Sequence, residues 1–162
     1  MKYILDGYNI IRSSYLKQAE RYSSETGQIK LLSFVQGYKR NHPALYFIIV
    51  FDGVGNLTDA SGIKIIYSGD ISADEKIIDI ISKNDKKEEY IVVSDDRQIQ
   101  EGAKIFGCKY IGVQDFMKVA DKRKETGSKK MEETDWTQKK TIELSKIEKE
   151  LKEYYEKESG KF

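Results

Sequence analysis

The chain is poor in the residues that announce most chemistries. Its 162 residues include one cysteine, Cys108, which excludes a disulfide framework and a cysteine-built zinc site. One histidine, His42, is too little imidazole for a His-rich metal site or a zinc hydrolase centre. No stretch approaches the ~20 apolar residues of a membrane span, so no membrane partner is expected. The opening run MKYILDGYNII is too short for a secretory signal, is broken by Asp6 and lacks a small-residue cleavage site, which leads us to expect a cytoplasmic domain. An excess of one charge is missing too. Lys and Arg number 28 against 27 Asp and Glu, so no global basic field marks nucleic acid. Any metal chemistry must therefore run on carboxylates.

What is present is enough for a core: 39% hydrophobic residues, with 11 tyrosines, in a length that suits one domain. The charges are unevenly spread. Residues 121–162 carry 12 Lys+Arg and 11 Asp+Glu, leaving 16 of each sign for residues 1–120. We therefore expect a folded body over 1–120 and an appendage over 121–162. In the appendage Leu144, Ile147, Leu151 and Tyr154 recur at 3-4-3 spacing among Glu and Lys, a narrow apolar stripe on a charged helix, after a loose basic hinge at 122–130.

The body alternates strand-like and helix-like segments. KYILD (2–6), LYFIIVFD (45–52), GIKIIYS (62–68), EYIVVSDD (89–96) and CKYIGV (108–113) read as strands, several of them apolar throughout, as strands buried on both faces are. GQIKLLSFVQGYKR (27–40) reads as a helix with Ile29, Leu32, Phe34 and Val35 inward, stopped by Pro43. SADEKIIDIISKN (72–84) opens on a Ser in N-cap position with two carboxylates in its first turn, where the helix dipole favours them, and turns Ile77, Ile78 and Ile81 inward. RQIQEGAKIFG (97–107) closes on Gly107, and 114–124 forms a last core helix. This alternation predicts an α/β fold with a mainly parallel sheet, whose strands share one carboxyl edge where ligands bind.

Three of these strands end in aspartate: Asp6, Asp52 and the pair Asp95-Asp96. Asp74-Glu75 opens the helix after a fourth. Singly, such residues are more often turn or cap residues, and either Asp95 or Asp96 could be the N-cap of helix 97–107. Together on one edge they repel one another unless a cation neutralises them. Hard divalent cations take oxygen ligands, and a carboxylate-held Mg²⁺ suits displacement at phosphorus. Other constellations are weaker. Ser13, Ser14, Ser23 and Ser24 have only His42 as a base, Cys108 has none nearby, and Gly53-Val54-Gly55 reads as a loop. Lys39-Arg40, Lys86-Lys87 and Lys122-Arg123-Lys124 are local basic spots that could hold a phosphate backbone. Tyr8, Tyr15, Tyr22 and Tyr38 are candidates to stack on unpaired bases.

DGYNII (6–11), VFDG (50–53), SADEKI (72–77) and VVSDDRQIQEGAKIFGC (92–108) occur in an order and at intervals that resemble the YacP-like branch of the NYN domains, in the PIN-like nuclease superfamily. The resemblance covers about residues 1–120. It implies a Rossmann-like, three-layer α/β/α fold and a Mg²⁺- or Mn²⁺-dependent endoribonuclease acting on RNA, with the ribosome as a further partner. Residue by residue, it implies catalytic and metal-binding roles for Asp6, Asp74 and Asp96, with Asp52 and Glu75 as further ligands and Asn9 as a ligand or orienting group. Where the family's strand end usually reads Thr-Ser-Asp-Arg, this chain reads Ser94-Asp95-Asp96-Arg97. Anchoring on Arg97 puts Asp96 in the catalytic place and makes Ser94 and Asp95 supporting residues. Tyr8, Lys39, Arg40 and Arg97 are the expected RNA contacts. Two other readings stay open: a non-catalytic RNA- or ribosome-binding module, and a small-molecule phosphohydrolase on the same acidic edge.

Overall fold

The computed structural model describes residues 1–13 and 24–125, with side chains through 120. Ser14, Tyr15, Tyr22, Ser23 and the stripe Leu144, Ile147, Leu151 and Tyr154 lie outside the described residues. The elements run β1 (Lys2–Asp6), α1 (Gly7–Arg12), α2 (Ser24–Asn41), β2 (Tyr46–Phe51), β3 (Ile63–Tyr67), α3 (Ala73–Ser82), a 3₁₀ turn (Lys87–Glu89), β4 (Tyr90–Val93), α4 (Arg97–Ile105), β5 (Lys109–Ile111) and α5 (Val113–Glu125). The five strands form one sheet in the order β3-β2-β1-β4-β5, and every pairing is parallel. The expected α/β class with a parallel sheet is what the chain adopts.

The sheet has an apolar layer on each face, because strand side chains alternate sides. Tyr3 and Leu5 of β1 and Phe47 and Ile49 of β2 point to one face, where Ile10 of α1, Leu31 and Val35 of α2 and Phe116 of α5 cover them. Ile4, Val50 and Val92 point to the other, where Ile77 and Ile81 of α3 and Ile99 and Ala103 of α4 cover them. Each fully buried Ile or Leu contributes about 2 kcal/mol of transfer free energy. The chain winds outward from β1 to β2 and β3, then returns through α3 to β4 on the other side. The winding direction therefore reverses between β1 and β4.

Two local expectations change. No helix was expected over 7–12, yet α1 starts directly at the end of β1 with Asp6 as its N-cap. The inward face of α2 is also rotated. It carries Gln28, Leu31, Val35 and Tyr38, while Ile29 is 39% exposed and Leu32 and Phe34 are only partly covered. Counting apolar residues misphased this helix because a polar residue holds a core position. The Gln28 amide is satisfied there, donating to Tyr8 Oη at 2.9 Å and accepting from Tyr67 Oη at 2.8 Å. Tyr38 is 4% exposed and packs against Phe47, Phe116 and His42, so it is a core residue and no platform for a base.

The tight β1–α1 junction depends on Gly7. A Cβ there would lie 2.4 Å from the Phe51 ring and 2.9 Å from the Val50 carbonyl oxygen. We expect Gly7→Ala to lose about 1–3 kcal/mol, as overpacked cores do, and to lower the melting temperature by several degrees. An unchanged melting temperature would mean that α1 can lift away from β2.

Candidate functional site

Strand parity decides which carboxylates meet. Asp6 follows Ile4 on its strand, Asp52 follows Val50 and Ser94 follows Val92, so all three share the α3/α4 face at the carboxyl edge. Asp6 sits on the central strand beside β4 and is only 5% exposed. Ser94, fully buried, donates from Oγ to Asp6 Oδ2 at 2.9 Å and accepts from the Asp96 N–H at 3.1 Å. Gln100 Nε2 donates to the Ser94 carbonyl at 2.8 Å, a supporting contact that no motif disclosed. The Asn9 N–H approaches Asp6 Oδ1 at 3.4 Å.

Helix starts bring the remaining carboxylates. Ser72 and Glu75 form a reciprocal capping box on α3, with the Ser72 N–H donating to Glu75 Oε2 at 2.9 Å and the Glu75 N–H to Ser72 Oγ at 3.1 Å. Asp52, exposed, accepts the Ala73 N–H on Oδ1 at 2.7 Å and so holds the same helix from the end of β2. Asp74, half-buried in that first turn, has no hydrogen bond or ion pair to another described residue. Asp96 is the N-cap of α4, its Oδ1 accepting from the N–H groups of Gln98 at 2.8 Å and Ile99 at 3.2 Å. Asp95 therefore does not cap α4. The helix begins at Arg97, and only the residue before it can reach the free N–H groups. Asp95 instead accepts the Val113 N–H at 2.9 Å, and its own N–H donates to Asn9 Oδ1 at 3.0 Å. Asn9 and Asp95 thus tie α1 and the start of α5 to the end of β4.

No described cation forms an ion pair with Asp6, Asp52, Asp74, Asp95 or Asp96; the ion pairs among the described residues involve Glu89, Asp79 and Asp115. Burial pushes the Asp6 carboxyl up to about 6, and the charges of Asp74 and Asp52 add to this against the hydrogen bonds from Ser94 and Asn9. Asp74 is also raised, by burial first and then by the charges of Asp96, Asp52 and Glu75. The carboxylates therefore feel one another. Among the described residues no three His, Cys, Asp or Glu side chains are gathered closely enough to enclose a metal ion. The donor set, oxygen only and uncompensated, fits a hard cation of the open kind, which takes one or two carboxylates and completes its shell with water and substrate phosphate.

The expected RNA contacts scatter. Lys39 Nζ donates to the carbonyls of Pro43 at 2.9 Å and Leu45 at 2.6 Å, bracing the turn into β2 at the amino edge of the sheet. Exposed Arg40 lies beside it in the last turn of α2. Both are at the far edge from the carboxylates. The Tyr8 hydroxyl is bonded to Ser24 Oγ at 2.6 Å and its ring meets Phe51 edge-on. Arg97 alone of the four is exposed at the carboxyl edge, in the first turn of α4. His42, packed on Tyr38, and buried Cys108 take no part.

Comparison with known proteins adds a family and a fold. A model of the YacP-like NYN domain matches residues 3–159, extending past the body to which the sequence resemblance was confined. A crystal structure of a single-substitution mutant of Rae1 (YacP) from Bacillus subtilis superposes with a TM-score of 0.65 at 20% identity, covering 77% of each chain. A second Rae1 (YacP) structure from the same organism gives a TM-score of 0.62 at 18% identity, covering 97% of this chain and 91% of that one. At these identities the likeness establishes the fold. No curated protein matches the chain.

The buried charge has a sign that can be checked. The Asp6 pKa rises from 3.8 to about 6 on folding, so between those values the native state holds more protons than the unfolded chain. Stability should then fall as pH rises through that window and stay lower above it. Asp6→Asn keeps an acceptor for Ser94 and removes the charge. In metal-free buffer near neutral pH it should be more stable than the parent by about 1–3 kcal/mol, the gap closing in acid. Thermal melts across pH measure this, and a variant less stable than the parent at neutral pH would overturn it.

Proposed function

The chain belongs to the YacP-like NYN domain family, whose fold is of the nuclease type, and on that footing we propose that it is a metal-dependent endoribonuclease acting on single-stranded RNA. The observation that carries the proposal is the buried Asp6 at the strand-order reversal, which no described cation pairs, with the charges of Asp74 and Asp52 acting on it and that of Asp96 acting on Asp74. Asp6, Asp74 and Asp96 would serve Mg²⁺ or Mn²⁺, one or two of them bound directly and the rest through its water shell; when bound, the ion would supply an acidified water and neutralise charge building on the phosphate. Asp74, with no hydrogen bond to another described residue, is the carboxylate with both oxygens to offer. Asp96 and Asp52 each spend Oδ1 on a helix start and keep Oδ2. Ser94 fixes the Asp6 carboxylate, and Asn9 fixes the loop that carries Asp95 and Asp96. Glu75 supports from the capping box.

The ribosome enters the same proposal as the surface that presents the RNA, in the cytoplasm. A body with 16 charges of each sign over residues 1–120 gains little from phosphate neutralisation, which supplies most non-specific RNA affinity. No described helix is long and apolar enough to cross a membrane. One observation favours the non-catalytic alternative: Asp52, Glu75 and Asp96 all have structural work at helix starts.

Cleavage of end-labelled single-stranded RNA, with Mg²⁺ or Mn²⁺ and with or without ribosomes, decides between them. We expect Asp6→Asn, Asp74→Asn and Asp96→Asn each to lose about a hundredfold or more in rate. Asp95→Asn should keep most of the activity, because Asn still accepts the Val113 N–H. Full activity in the first three variants would sink the site. RNA or ribosome binding without cleavage in any metal would leave the non-catalytic module.

A further inference from the structure

An open groove of about 420 Å³ is lined by α3, which carries Asp74, and by α4, which Asp96 caps. Its apolar lining is Ile78 and Phe106, with the fully buried Ile99 directly beneath them, and its other lining residues include Asp74, Glu75 and Gln98. Asp74 lines this groove and also faces the acidic centre, so the two adjoin. Gly102 of α4 makes room for the floor, since a Cβ there would lie 2.2 Å from Ile78 Cδ1.

The lining selects its occupant. Carboxylates on the rim repel a phosphate or any other anion, and the further rim carboxylate, Asp79, is already held by Lys83 at 2.6 Å. The apolar floor favours an uncharged flat ring. The rim carboxylates accept hydrogen bonds and cannot donate, so they favour a ring whose edge carries amino hydrogens. The Gln98 side-chain amide makes no hydrogen bond to another described residue and offers one donor face beside one acceptor face. That pair is the one that reads the N6/N7 edge of adenine.

We propose that the α3–α4 groove is a nucleobase subsite that takes an unpaired adenine of the RNA strand whose phosphodiester lies at the acidic centre. The strand's identity rests on the nuclease reading above; the groove's own preference does not. Uracil, with no exocyclic amino group, is the disfavoured base.

The test uses the full chain with ¹³C-labelled isoleucine methyls, titrated in metal-free buffer with tetranucleotides of adenosine and of uridine. The Ile78 and Ile99 methyl signals should shift and saturate with the adenosine oligonucleotide, with the uridine one binding roughly tenfold more weakly. Gln98→Ala, at an exposed position, should remove most of that discrimination while the other methyl signals show an intact fold. Equal binding of the two oligonucleotides with Gln98→Ala indistinguishable from the parent overturns the proposal, and so does silence of both methyls at millimolar RNA. Cleavage after adding Mg²⁺ or Mn²⁺ is scored separately on the same preparation. Cleavage with silent methyls keeps the nuclease and overturns the subsite; shifts without cleavage, with ribosomes present as well as absent, keep the subsite and overturn the nuclease.

Discussion

The hydrogen bond from Ser94 Oγ to Asp6 Oδ2, 2.9 Å long and buried at the strand-order reversal, is the contact around which the carboxyl edge is arranged. A carboxylate on a central strand is costly to bury and must be hydrogen-bonded. Ser94 meets that need, and its oxygen also receives the Asp96 N–H, fixing the residue that caps α4. Asp52 does the same for α3 by accepting the Ala73 N–H from the end of β2. Both walls of the site are therefore hung from carboxylates at strand ends, and the groove between them follows from where those two helices start.

Gathering several carboxylates without a cation would be prohibitive in a site of uniform low dielectric. Here α3 and α4 both point their N-termini at the cluster, and the partial positive charge of a helix start favours an anion by up to about 1 kcal/mol. The caps use one oxygen of Asp52 and one of Asp96 and orient what remains. Helix capping and metal binding are thus compatible: the first fixes the carboxylate plane in which the second can occur.

Recognition on this face cannot rest on positive charge. Lys39 is committed to the turn before β2 and Arg40 stands beside it at the far edge, while Tyr8 and Tyr38 are engaged in packing. Only Arg97 stands at the carboxyl edge among the expected contacts. Under the proposed function an RNA strand would meet on this face a carboxylate-held cation and apolar surface for a base, both short-range and more dependent on fit than on net charge.

The sequence alone showed a parallel α/β body and a set of strand-end aspartates on one edge, because period-two burial, helix caps and the parallel connection rule are local properties of the chain. It misread what depends on neighbours. The phase of α2 was hidden because Gln28 is buried only by virtue of Tyr8 and Tyr67, and Tyr67 lies 39 residues away in sequence. The roles of Asp95 and Asp96 were indistinguishable as letters and became distinct once α4 began at Arg97 and Val113 came within reach of Asp95. The Asp6–Ser94 contact joins residues 88 apart, and the α3–α4 groove exists only where two helices pack side by side. Residue type determined which groups are available; tertiary structure decided which of their oxygens are used and which are left, because a buried hydrogen bond forms only where packing brings its two ends together.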